Sequence, residues 1–251
     1  MIFNFKKRKK IEFFSYIPGV AEAFPVKEAK EFKPKWMEQC RKDYKEKLAE
    51  TNVKFNHVYQ CPGIFEMYKH GFIIPLWADV VIKADLARRG FGYATAIIDH
   101  PEQENRIVID KHQDEVSKII PPRHYSLPFV IKINSPWSVV APKGVKFLML
   151  PISYPDTYEF DNAVGILDPG VSNEINFQIW WNVMDGEVVL KAGTPMVHLI
   201  PISEDKFDLE VRDANAHDKE WLDKRRYFQY FSFRPRRNLM KEFYNNHFSK
   251  K

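Results

Sequence analysis

Apolar and polar residues alternate most regularly between positions 134 and 204. The stretches 174–181 and 190–200 carry the alternation most clearly, as strands with one buried face do. Gly165, Ile166, Leu167, Asp168, Pro169 and Gly170 make a corner before the first of them. Residues 135–144 and 145–150 lead into the block, and residues 129–134 enter it as a further strand. Upstream, 72–82 and 92–98 predict strands of a partly buried sheet. Residues 106–110 predict another strand or the start of a short helix, and 207–212 a last strand.

Helical spacing occurs outside this block. Trp36, Cys40, Tyr44 and Leu48 recur every fourth residue after Pro34, which suits a helix start. A short helix over 64–69 is closed by His70 and Gly71. Residues 213–231 repeat through His217, Trp221, Lys224 and Phe228. Pro235 is expected to interrupt that spacing, which then resumes over 238–248 through Leu239, Phe243 and His247. Residues 1–35, rich in proline and aromatic residues, read as an arm that packs on its own core or on a neighbouring subunit. The pattern therefore predicts an α+β chain in three parts: an arm at 1–35, an α+β domain at 36–212 with a β-rich antiparallel core at 129–204, and a basic helical region at 213–251.

A hydrophobic content of 45% excludes a chain that is disordered as a whole. Ten glycines stand against seventeen prolines, and no Gly-x-Gly-x-x-Gly or Walker-type loop occurs. This argues against a doubly wound nucleotide-binding domain. No run approaches the roughly 20 apolar residues of a membrane span. The apolar stretch 11–20 is broken by Glu12, Ser15 and Pro18, unlike a signal peptide. Cys40 and Cys61 form neither a disulfide framework nor a zinc pattern, so a reduced compartment is expected.

The formal charge of +5 is concentrated at the ends. Lys6, Lys7 and Arg8 lie at one end, and Arg225, Arg226, Arg236 and Arg237 at the other. Such runs contact nucleic acid or an acidic surface, or serve as solvated tails. Aromatic residues interleave the second run, so it could stack on bases or pack as a helical stripe against a sheet.

Two further groups of residues invite a chemical reading. His112 and Asp114 have the His-x-Asp form of a two-histidine, one-carboxylate iron site, with His198 as the third ligand. His112 lies in a polar run where loop or helix is expected, and His198 also reads as a hydrogen-bonded core histidine. Cys61, before Pro62 and Gly63, is either a nucleophile served by His57 or His70, or simply part of a turn.

The order Pro142-Lys143-Gly144, Gly165-Ile166-Leu167-Asp168, then Ala192-Gly193-Thr194-Pro195-Met196-Val197-His198-Leu199-Ile200 resembles the β-clip domain of trimeric dUTPases and dCTP deaminases. That resemblance implies a β-clip-like core, a homotrimer, and Asp168 as the carboxylate that orients an attacking water. The tyrosine that this family places three residues later is Val171 here. The family's serine-containing phosphate loop, acidic first motif and glycine-rich C-terminal arm have no counterpart, and Asp168 with Pro169 and Gly170 also reads as a plain turn. Across most of the chain, the segments Cys61-Pro62-Gly63-Ile64-Phe65, Gly71-Phe72-Ile73-Ile74-Pro75, Asn134-Ser135-Pro136-Trp137-Ser138 and Ile200-Pro201-Ile202 resemble a protein family of T4-like and other marine phages. This second resemblance implies a viral origin and carries no active site with it. The leading expectation is a non-enzymatic, oligomer-forming module without a cofactor. It would associate with virion proteins, in the virion or the host cytoplasm, and not with membrane. A diverged dUTPase-like enzyme is the alternative, and an Fe(II)-dependent oxygenase the third reading.

Overall fold

The computed structural model describes residues 8–85, 87, 90–95, 109–112, 123–227 and 233–249. Strand β1 (Lys9–Ser15) takes part in the one parallel strand pair among the described residues, and it shows how distant parts of the chain are joined. It pairs in parallel with β14 (Phe207–Asp213) and antiparallel with β7 (Val130–Val140). The sheet continues from β7 to β11 (Glu174–Trp181) and then to β9 (Phe160–Asn162), while β6 (Ile109–Lys111) also joins β7. β7 is long enough to hold both: residues 137–140 pair with β1 and residues 131–133 with β6. The expected arm is therefore partly an internal strand of the chain's own larger sheet.

A second sheet runs β10 (Gly165–Leu167), β8 (Phe147–Leu150), β13 (Pro195–Pro201), β3 (Phe72–Pro75) and β2 (Lys27–Glu28), antiparallel throughout. A third comprises β12 (Asp185–Leu190), β4 (Val80–Asp85) and β5 (Gly90–Thr95). One apolar cluster joins all three sheets. It includes Ile11 and Phe13 of β1, Trp137 of β7, Phe177, Ile179 and Trp181 of β11, Leu199 of β13 and Ile82 of β4. The alternation along β11 puts Ile175, Phe177 and Ile179 inside, as the sequence pattern requires. The molecule is thus mixed α and β, with β-rich, mainly antiparallel sheets.

Phe14 points the other way from Ile11 and Phe13. The outer face it lies on is covered by two helices, α4 (Ala216–Tyr227) and α5 (Phe233–Phe248), through Trp221, Met240, Tyr244 and Phe248. Both faces of β1 are consequently buried, which explains its dense Phe13-Phe14 pair. Trp221 donates from Nε1 to the side chain of buried Asn173 at 3.1 Å, tying α4 to the loop before β11. Arg212 of β14 bridges Glu12 and fully buried Asp218, at 3.0 and 2.5 Å.

Several expectations are revised. Residues 72–82 form not one strand but β3 and β4, in different sheets. Pro75 has no N–H with which to continue a ladder. Asp79 then holds the next turn by accepting the Ala192 N–H at 2.8 Å and pairing with Lys191 at 2.7 Å. Strand β12 escaped the pattern because its residues are mostly solvent-facing. Helix α2 (Lys35–Thr51) has the expected spacing yet buries no residue, and its stripe meets local aromatic rings such as Phe65 and Tyr59 instead of the sheets. α3 (Pro62–Met67) starts at Pro62. Pro235 does not interrupt α5 but lies in its first turn, where an absent N–H costs nothing. Gly71 is required by contact: its φ is +81°, and a Cβ there would lie 2.1 Å from the Leu199 carbonyl oxygen.

Candidate functional site

Asp168 follows β10 and builds a tight turn. Its carbonyl accepts the N–H groups of Val171 and Ser172 at 2.8 and 3.0 Å, and its Oδ1 accepts that of Gly170 at 3.2 Å. Its Oδ2 meets Lys241 of α5 at 2.9 Å and Lys146 at 3.9 Å. One carboxylate oxygen is therefore held by the turn, while the other, buried, is ion-paired with lysine but accepts no hydrogen bond. Nearby, a cavity of about 400 Å³ opens between β1, the end of β7 and α5, lined by Lys10, Glu12, Pro142, Lys143, Tyr244 and Phe248 among others. The Tyr244 hydroxyl accepts the Ala141 N–H at 3.0 Å, and burial raises its pKa above the usual phenol range.

The histidines named from the sequence stand apart from one another. His198 lies on β13 in the second sheet, fully buried, stacked on Tyr68 and donating from Nε2 to the His70 carbonyl at 2.6 Å. Burial lowers its pKa, disfavouring the charged form. His112 follows β6 at the edge of the first sheet, with its N–H donating to the Val130 carbonyl at 2.8 Å. Asp114 lies outside the described residues. Among the described residues no contact joins His112 to His198.

Cys61 ends up as the N-terminal cap residue of α3, and neither proposed base reaches it. His57 meets Cys40 instead, with Sγ 3.8 Å from Nδ1, and donates from Nε2 to Asp43 at 3.0 Å. His70 lies 3.5 Å from Glu66. The order Cys40, His57, Asp43 is that of a nucleophile, a base and an orienting acid. The chemistry does not follow. The Tyr59 N–H already occupies the Nδ1 lone pair at 3.1 Å, and burial together with Asp43 raises the thiol pKa. This cluster pins the return of the chain onto α2.

A second histidine pair was missed as a pair. His217 opens α4 and His247 closes α5, with ring centroids 3.7 Å apart and planes 6° from parallel. Each Nε2 reaches the other residue's backbone carbonyl, at 3.1 and 2.9 Å. A carbonyl can only accept, so both Nε2 atoms carry the proton and both Nδ1 atoms keep a lone pair. Glu220, one turn after His217, completes a group whose donor atoms lie within 4.8 Å of one another. Glu220 also pairs with Lys224 at 2.6 Å, which lowers its carboxyl pKa. The visible signal was the His217-x-x-Glu220 spacing on an expected helix. The third member is remote in sequence.

The basic ends are partly engaged. Arg8 pairs with Asp208 at 3.4 Å on the surface, and Arg225 pairs with Glu174. Arg237 is exposed on α5. Lys6 and Lys7 lie outside the described residues, as do the side chains of Arg226 and Arg236. Among the described residues no helix is long and apolar enough to cross a membrane. No family model, no curated protein and no solved structure matches this chain.

Proposed function

We propose that this chain is a non-enzymatic, self-associating module of a phage particle, built on a β-clip-like core. The observation that carries the reading is the engagement of Asp168. The carboxylate that the dUTPase resemblance would assign to water activation has one oxygen in its own turn and the other against Lys241 of the chain's own C-terminal helix. A carboxylate held by its own turn and paired with the chain's own lysine serves to stabilise a corner. The edge strand β10 adds support for self-association, since Ile166 on it and Val164 just before it are 60% and 63% exposed.

A second reading, a diverged nucleotide-binding enzyme, is favoured by the cavity between β1, the end of β7 and α5, although Asp168 does not line it. Its wall includes Lys10, Lys143 and Pro142, and the last two belong to the first segment of the resemblance. Light scattering on the purified protein, with and without capsid proteins and with a panel of nucleoside triphosphates, separates the two. A trimer that joins capsid proteins and leaves every nucleotide intact supports the module. Nucleotide hydrolysis that vanishes in Asp168→Ala overturns it, and so does a monomer that joins nothing.

A further inference from the structure

We propose that His217, Glu220 and His247 bind one divalent transition-metal ion at the joint between α4 and α5. Two imidazoles and one carboxylate suit zinc and its first-row neighbours, and three protein ligands leave a coordination position open to water. The proposal stands apart from the reading of Asp168 and does not depend on it.

Three observations carry it. The donor atoms of all three residues are gathered within 4.8 Å. Each imidazole already has the outer contact that metal-bound histidines use, an Nε2–H donated to a backbone carbonyl, which fixes the tautomer and directs the lone pair to Nδ1. Each supporting carbonyl belongs to the opposite histidine, so one reciprocal contact sets both rings. The third observation is the firm seat. Trp221, fully buried, packs its ring against His247 at 5.5 Å and Phe248 at 5.5 Å. The backbone positions of the ligands are thereby held by the same cluster that fastens the helices to β1.

Closing on an ion requires side-chain movement only. Bonds of about 2.0–2.1 Å around a tetrahedral centre set donors about 3.3 Å apart, so the stacked rings tilt and Glu220 swings inward. Glu220 is exposed, and its pairing with Lys224 is on the surface and moves with it. Lys224 holds its Oε1, which assigns Oε2 to the ion.

The test uses the full chain without an affinity tag, stripped with a chelator and dialysed. Cobalt(II) is titrated in while visible ligand-field absorption is followed, and zinc(II) binding is then measured by calorimetry. The expected result is one ion per chain, with zinc displacing cobalt. Glu220→Gln and His217→Ala should weaken binding by more than the ~10–100-fold that loss of an outer-shell partner produces. Cys40→Ser should leave it unchanged. His247→Ala should abolish binding, and because His247 also packs in the core, Glu220→Gln at an exposed position keeps the test decisive if that variant does not fold. Absence of saturable binding overturns the proposal. So does binding that survives Glu220→Gln, or a thiolate-to-cobalt band removed by Cys40→Ser, which would put the ion at Cys40 and His57.

Discussion

Helix α5 meets the rest of the molecule at two chemically active places, and they differ in what is left over. At Lys241 the helix delivers a cation to Asp168 at 2.9 Å, while the carboxylate's other oxygen is held within its own turn. Two turns along, His247 faces His217, and the hydrogen bonds satisfy only one nitrogen of each ring. At the first contact Oδ2 is ion-paired but makes no hydrogen bond, whereas the second gathers two imidazoles from two helices beside a carboxylate paired with Lys224. The difference teaches that a carboxylate closed into its own turn marks fold maintenance, whereas ligand-type side chains gathered from two helices mark a place for a ligand.

The comparison can be broken most forcefully at the packing that seats α5, through Trp221 of α4. Trp221→Ala removes a fully buried ring from between α4, α5 and β1 and leaves the Asn173 side chain without its indole partner. A loss of about 3–5 kcal/mol is expected in urea unfolding, with both contacts of α5 weakened together. Asp168→Ala sharpens the contrast. It deletes an ion pair with half-exposed Lys241 and one bond within a turn, so about 1 kcal/mol should be lost, with no effect on metal binding. An Asp168→Ala protein that lost metal affinity would show that the two places are coupled.

The smallest effect is a pH dependence from buried His198 and half-buried His247. Burial keeps the pKa of His198 and His247 below the ordinary value near 6.5. The unfolded chain therefore takes up their protons first as the pH falls. Their contribution is fully present above about pH 6.5 and is lost as the pH drops from there toward the lower folded-state values. Denaturation midpoints measured downward from neutral pH should show this decline, and His198→Gln should flatten part of it. A slope unchanged in that variant would assign the titration elsewhere.

Much of the architecture was legible because the relevant signals are local. The alternation of Ile175, Phe177 and Ile179 needs only the two-residue period of a strand, and the spacing of Trp36, Cys40 and Tyr44 only the period of a helix. Burial was less legible. α2 has a core-like stripe but packs on neighbouring loops through Phe65, Tyr154 and Tyr59, which no spacing could foretell. The candidate site was half legible: His217 and Glu220 share a helix face, yet the iron-like pattern drew attention to His112, Asp114 and His198, of which the first and last belong to different sheets.

By itself, then, the order of residues determined which segments become strands and helices and where turns such as that at Asp168 fall, since each depends on neighbours a few positions away. Only the tertiary structure decided what those segments meet. The parallel docking of β1 beside β14, the burial of Phe14 under α4 and α5, the capture of Asp168 by Lys241 and the meeting of His217 with His247 all join residues far apart in the chain. Such contacts are selected by the packing of whole faces, and no local period encodes them.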